Sequence, residues 1–135
     1  MIRVYPTLLN TFSLFLHEKT NSEGNLMVDL QEMLDRINRV PRPTTEAQQK
    51  GIDFEKAITT GANEEMFSEY VIEKTRALLP PRYKTQVYTE TRYKDCLIYG
   101  YVDILGNNKA IDLKSTRVYT GPKFEYNHQN LYLLG

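Results

Sequence analysis

The sequence has no tryptophan, no net charge and a single cysteine among its 135 residues. The lone Cys96 cannot form an internal disulfide, which excludes a disulfide-stapled scaffold and favours a reducing compartment. No apolar run approaches the roughly 20 residues that a membrane-spanning helix needs. The N-terminus also lacks the apolar core and cleavage site of a signal peptide. We therefore expect a cytoplasmic, intracellular protein with no membrane partner.

The charge is balanced, since 17 basic residues offset 17 acidic ones. This balance excludes a uniformly basic nucleic-acid-binding coat, so a polyanionic partner would have to meet a local basic patch. The apolar fraction of 41% and the charged fraction of 25% are ordinary for a globular protein. A chain of this length can bury one core but not two, so residues 1–135 are expected to form a single domain.

Apolar residues at helical spacing dominate the first part of the chain. The predicted helices begin at Pro6 and continue with spans over 26–40, 46–60 and 64–79. Thr45 followed by Gln48 resembles a capping box at the start of the third helix. Asn63 is suited to cap the fourth helix, which the following prolines end.

The periodicity then changes from about 3.6 to 2, which indicates strands. Residues 83–93 are predicted to form one strand, 96–115 a β-hairpin, and 123–134 a further helix. This order predicts an α+β or mixed α/β fold in which a small mixed sheet with an antiparallel hairpin is flanked by helices. The sequence stops directly after Leu133-Leu134, so we expect that further strands are missing or come from another chain.

The hairpin is the most informative segment of the sequence. Asn107-Asn108 suits a two-residue type I′ turn, because asparagine tolerates positive φ. This turn places Asp103 directly opposite Asp112, with Lys114 on the same face two residues further on. Directly opposed like charges are destabilising, and a divalent cation bound between two carboxylates would reverse that effect. The pairing therefore predicts a metal site.

The other face of the hairpin is apolar, with Val102 opposite Leu113 and Ile104 opposite Ile111. A register slip of one residue would bury charges in this layer, so the register is well specified. Glu55 lies at the margin of the apolar stripe of the third helix and is a further candidate carboxylate. Two simpler interpretations stay open: a solvated ion-pair cluster on the sheet, and a solvated Glu55.

Taken in order, these motifs resemble the PD-(D/E)XK nuclease superfamily, and most closely the branch of phage lambda exonuclease and the RecB nuclease domain. The first motif matches Gly51–Glu55, the second Gly100–Asp103, the D/E-x-K motif Ile111–Lys114, and the glutamine–tyrosine motif Gln129–Tyr132. Val102 replaces the proline of the superfamily's name. The glutamine–tyrosine spacing is three residues here, whereas four is usual.

The resemblance implies a restriction-endonuclease-like core and Mg²⁺- or Mn²⁺-dependent hydrolysis of DNA, by an exonuclease of phage or recombination type rather than a restriction endonuclease. It implies that Glu55, Asp103 and Asp112 bind the metal together with the Leu113 carbonyl. Lys114 would position or help deprotonate the attacking water, or stabilise the phosphorane-like charge. The implied substrate-binding residues are Gln129, Tyr132, Lys123 and Arg117, with Lys109 as a further candidate for phosphate contact. The expected partner is DNA, alongside a homo-oligomer or a recombination protein.

Two alternatives stay open at this stage. The chain could be a catalytically inactive DNA-binding or assembly module of the same fold. It could also be a nuclease of this fold that acts on RNA, which differs from DNA by its 2′-hydroxyl group. The sequence does not decide between exonuclease and endonuclease action.

Overall fold

A computed structural model of the chain describes residues 1–118. In chain order the elements are β1 (Ile2–Val4), α1 (Pro6–Leu16), α2 (Leu30–Ile37), α3 (Glu46–Thr60), a 3₁₀ helix (Glu64–Met66), α4 (Glu69–Ala77), β2 (Tyr83–Tyr93), β3 (Cys96–Gly106) and β4 (Lys109–Ile111). The helix predicted over 123–134 lies outside the described residues. None of the helices between residues 1 and 118 has the length and apolarity required to cross a membrane.

The sheet is mixed and is organised around β3. Its strand order is β1-β3-β2, and β4 also pairs with β3. β1 runs parallel to β3, and β4 runs antiparallel to it. The predicted α+β class with a small mixed sheet and flanking helices is therefore confirmed. β1 was not predicted from the sequence, because three residues are too few to show an alternating pattern.

The described residues divide into two compact units. One unit combines residues 1–42 with 89–100, and in it α1 packs on α2. The other combines residues 43–88 with 101–118, and in it α3 packs on α4. All described candidate site residues belong to this second unit. The single-domain expectation stays a prediction.

α3 is the element that the sequence predicts best. It spans the expected residues, and its capping box is present. The Thr45 hydroxyl accepts a hydrogen bond from the Gln48 N–H (3.2 Å), and the Gln48 side chain accepts one from the Thr45 N–H (2.9 Å). Gly61 ends the helix with a φ of 79°, in the left-handed conformation that glycine adopts without strain.

The fourth predicted helix is broken, which corrects the span 64–79. Phe67 is extended (φ −127°, ψ 156°) and separates the 3₁₀ helix from α4. This break lets the Phe67 ring pack edge-on against Phe54 at 5.3 Å between centroids. Asn63 does not cap the helix; its side-chain amide donates instead to the Asp53 carboxylate (3.3 Å). Apolar packing therefore overrides the helical pattern here.

The second predicted helix is shorter than its span of 26–40. α2 begins only after Asp29, whose carboxylate accepts a hydrogen bond from the Glu32 N–H (2.7 Å). Such an acidic N-cap satisfies one of the free N–H groups at the helix start. After the helix, Arg39 adopts a φ of 53°, which turns the chain before the proline-rich segment.

A small apolar core holds α3 against α4. Its buried residues are Ala57, Ile58 and Ile72, and the half-buried residues packed around them are Phe54, Phe67, Leu79 and Leu113. Arg76 of α4 donates to the Ala57 carbonyl (2.6 Å) and the Ile58 carbonyl (3.2 Å), and it also pairs with Glu64. These bonds satisfy carbonyls in the last turn of α3 and fix the helix that carries Glu55.

The predicted hairpin register is confirmed. Ile104 pairs with Ile111 and Gly106 with Lys109 around the turn at Asn107-Asn108. The turn is not type I′, however, because neither asparagine has the positive φ that this type requires. The pairing ends at Ile111, so β4 is shorter than expected.

Candidate metal centre

The side chains of Glu55 and Asp103 come from different elements and contact the same amide group. Glu55 lies on α3 and Asp103 on β3. The side-chain nitrogen Nε2 of Gln86, on β2, lies 2.5 Å from Glu55 Oε1 and 3.3 Å from Asp103 Oδ1. Because one amide nitrogen reaches both carboxylates, their oxygens are close enough for a single small group to contact both.

The sequence predicts that Asp103 and Asp112 face each other as a pair in the ladder. This prediction is wrong, because the ladder ends with the pair Ile104–Ile111. Asp112 lies beyond the end of β4 and is not part of the sheet. Asp103 Oδ2 instead accepts a hydrogen bond from the Leu113 N–H (2.9 Å). In a longer β4, the Leu113 N–H would donate to the backbone of β3. Because it donates to the Asp103 side chain instead, the pairing stops at Ile111.

Leu113 fixes the segment after β4. Its N–H binds Asp103, and its side chain packs against the core cluster of α3 and α4. Asp112 and Lys114, on either side of it, form an ion pair at 2.8 Å between Nζ and Oδ2. Their side chains are 36% and 40% exposed. The D/E-x-K segment is therefore anchored by its central apolar residue, while its two charged side chains face solvent.

The site carries excess negative charge around Asp103. Burial raises the pKa of the Asp103 carboxyl, and the nearby charges of Asp112 and Glu55 raise it further. The Leu113 N–H and the Lys114 ammonium act in the opposite direction, but the net pKa shift is upward. A bound cation would relieve this repulsion and favour the ionised form of the carboxyl.

The chemistry of the donors suits a hard divalent cation. Within residues 1–118, no group of three or more His, Cys, Asp or Glu side chains is already arranged to hold a metal ion. Mg²⁺, however, usually keeps several waters and needs only one or two protein carboxylates. The pair formed by Glu55 and Asp103, with Asp112 adding negative charge beside it, meets this requirement.

Of the remaining predicted site residues, Lys109 and Arg117 belong to the described part of the chain. Lys109 donates through Nζ to the Leu78 carbonyl (3.1 Å), so it binds just after the end of α4 and is not a free phosphate ligand. Arg117 is exposed. The predicted substrate-binding residues Lys123, Gln129 and Tyr132 lie outside the described residues.

Sequence reasoning missed Gln86. A glutamine in a strand carries no signal of a site. Its backbone φ of 50° is also a departure from regular strand geometry that the alternating pattern of the sequence does not predict. Gly51, at the start of the first motif, is not crowded by its neighbours. A Cβ at this position would meet only the Ser115 hydroxyl, at 3.6 Å, so close packing does not require glycine there.

Comparisons of the chain with protein-family models, curated proteins and solved structures found no match. The function proposed for this protein therefore rests on its own residues and their arrangement. The residues that carry it are Glu55, Gln86 and Asp103, together with the segment from Asp112 to Lys114.

Proposed function

We propose that this protein is a Mg²⁺- or Mn²⁺-dependent deoxyribonuclease with a restriction-endonuclease-like core, acting as an exonuclease. One observation carries the proposal: Glu55 and Asp103, from a helix and a strand far apart in sequence, converge on one amide group. Beside them, Leu113 holds an Asp-Leu-Lys segment. The order of these motifs resembles the PD-(D/E)XK nucleases.

The ligands of the metal would be the carboxylates of Glu55, Asp103 and Asp112, with the Leu113 carbonyl as a backbone ligand. When bound, a divalent ion lowers the pKa of water and neutralises the charge that develops on a phosphodiester. The protein's part is to hold these oxygens in place. α3 does so through the capping box and Arg76, and β3 does so through its pairing with β4.

Lys114 supplies a positive charge next to the carboxylates. Its ammonium lies on a half-exposed side chain and pairs with Asp112. In the reaction, a water oxygen attacks phosphorus, the bond to the leaving sugar oxygen breaks, and that oxygen takes up a proton. Lys114 would hold the attacking water and stabilise the added negative charge at the phosphorus centre.

The test is digestion of linear and closed-circular duplex DNA with Mg²⁺. We expect the wild type to degrade linear DNA and spare the closed circle. Lys114→Ala and Asp112→Ala should each lower the rate by about 100-fold or more. Asp53→Ala is the matched control, since Asp53 is another α3 carboxylate with two amide partners, Gln49 and Asn63. Cleavage that survives both site substitutions would overturn the assignment.

One observation favours a second candidate, a catalytically inactive DNA-binding module. Asp112 and Lys114 neutralise each other in an ion pair, so they can stabilise this segment without a metal. Calorimetry distinguishes the two functions. Binding of Mn²⁺ supports the nuclease, whereas DNA binding without Mn²⁺ binding supports the inactive module. Competition with RNA in the same assay tests the preferred nucleic acid.

A further inference from the structure

Gln86 has an unusual backbone for its place in the fold. It lies within β2, yet its φ is 50°. The other described non-glycine residues with positive φ lie in turns or next to helix ends: Glu18, Arg39, Asn63 and Lys94. Left-handed backbone is strained for a residue with a long side chain, and such strain persists only where the surrounding structure maintains it.

This strain is associated with a specific contact. The Gln86 amide nitrogen reaches Glu55 Oε1 at 2.5 Å and Asp103 Oδ1 at 3.3 Å. A primary amide has two N–H donors, one for each carboxylate. Two neighbouring carboxylates repel each other, and the amide supplies the partial positive charge that links them. It thus does what a cation between the two oxygens would do.

We propose that Gln86 is the fourth side chain of the metal centre. Without a cation, its NH₂ group holds Glu55 and Asp103 together. With a cation, its amide turns over and presents Oε1 as a ligand. This inference rests on the proposed function, and it makes Gln86 a ligand and positioning residue rather than a catalytic one.

The change that this requires is small. The torsion before an amide group joins sp³ and sp² carbons, and its energy profile is broad and nearly two-fold. Half a turn therefore exchanges nitrogen for oxygen without moving the strand. Amide carbonyl oxygens are recognised ligands of hard cations. The strained backbone would then be maintained because it keeps this amide within reach of both carboxylates.

Calorimetric titration of the metal-free full chain with Mn²⁺ tests the inference without using activity. Gln86→Leu should weaken Mn²⁺ binding by about 10- to 100-fold, the range typical for residues that orient metal ligands. Gln86→Glu keeps an oxygen at the same distance and should bind at least as tightly as wild type. Gln31→Leu is the matched control, since Gln31 also donates to a carboxylate, Asp35 (2.8 Å), and it should bind as wild type does.

Gln86→Gly separates the metal role from a purely structural one. Glycine relieves the left-handed strain, so Gln86→Gly should melt at a higher temperature than Gln86→Leu, which lacks the amide as well, while both bind Mn²⁺ more weakly than wild type. If Gln86→Leu and Gln86→Gly bind Mn²⁺ as tightly as wild type, or more tightly, the ligand role of Gln86 is overturned. A Gln86→Glu variant as weak as Gln86→Leu would contradict it as well.

A second readout follows the amide directly. In ¹H–¹⁵N NMR spectra, the Gln86 side-chain signals should shift on titration with Mg²⁺ and saturate together with the binding isotherm. Unchanged signals in a protein that binds the cation would overturn the role of Gln86 alone. A wild type that binds neither Mn²⁺ nor Mg²⁺ would instead overturn the proposed function, and this inference with it.

Discussion

Glu55 and Asp103 are held differently from Asp112 and Lys114. The first two lie on regular elements, α3 and β3, and both contact the amide of Gln86. The second two lie beyond the end of β4, are more than one-third exposed, and pair with each other. Here the like charges lie on regular elements that fix their positions, whereas the oppositely charged pair lies in an irregular segment that is open to solvent.

Leu113 links these two parts of the site. Its N–H binds the Asp103 carboxylate, and its side chain packs on the core that also carries α3. The irregular segment is therefore open at its charged side chains but fixed at its centre. A substitution in the turn that leads from β3 to β4 should therefore displace Asp112 and Lys114 before it displaces Glu55 and Asp103.

The largest stability effect is expected at Gly106, where β3 enters the turn before β4. A Cβ there would lie 2.5 Å from Pro80 Cγ and 3.3 Å from the Arg82 carbonyl oxygen. Overpacking of this kind costs about 1–3 kcal/mol, so Gly106→Ala should lower the free energy of unfolding by about that amount in urea titrations. Gly51→Ala is the control; it meets only an ordinary contact in a helix and should gain up to about 1 kcal/mol. Equal effects at both glycines would contradict this account.

A smaller effect is expected from the pH dependence of Asp103. Its pKa is raised in the folded protein by burial and by its acidic neighbours. The folded state therefore holds the proton more tightly than the unfolded state, whose pKa is about 4. In wild type, the stability that this tighter proton binding contributes is fully present below about pH 4. It is lost as the pH rises through the pKa of Asp103 in the folded protein.

Asp103→Asn should consequently be more stable than wild type at pH 7 in the absence of metal, with the difference shrinking as the pH falls toward 4. Thermal melts in EDTA at several pH values measure it. A variant that is no more stable than wild type at neutral pH would show that burial and repulsion do not destabilise the carboxylate.

The smallest effect is expected at Lys114. Exposed ion pairs contribute little to stability, so Lys114→Met should change the free energy of unfolding by less than about 0.5 kcal/mol. Arg76→Met is a useful contrast, because Arg76 donates to the carbonyls of Ala57 and Ile58 and its loss should cost more. A large loss at Lys114 would mean that its role is structural and would favour the inactive module.

The sequence predicts those parts of the fold that local rules determine. α3 follows from its capping box, and the hairpin register follows from an apolar face that no slipped register could keep. From these two elements alone, Glu55 and Asp103 could be identified as candidates.

The remainder depends on contacts between residues distant in sequence. Phe67 breaks the fourth helix because its ring packs on Phe54. Asp112 leaves the ladder because Asp103 takes the Leu113 N–H. Gln86 contacts both carboxylates, and its backbone is left-handed, which no periodic pattern in the sequence reveals. In each case a tertiary contact overrides the local preference.

We propose above that Glu55, Asp103 and Asp112 together hold one divalent cation. Anomalous diffraction from crystals soaked in Mn²⁺ tests it most directly, with crystals of Asp103→Asn as the control. We predict a manganese peak in contact with all three carboxylates in the wild type and no peak there in the variant. A wild type in which Gln86 still bridges Glu55 and Asp103 at saturating Mn²⁺, with no peak at the site, would contradict the account.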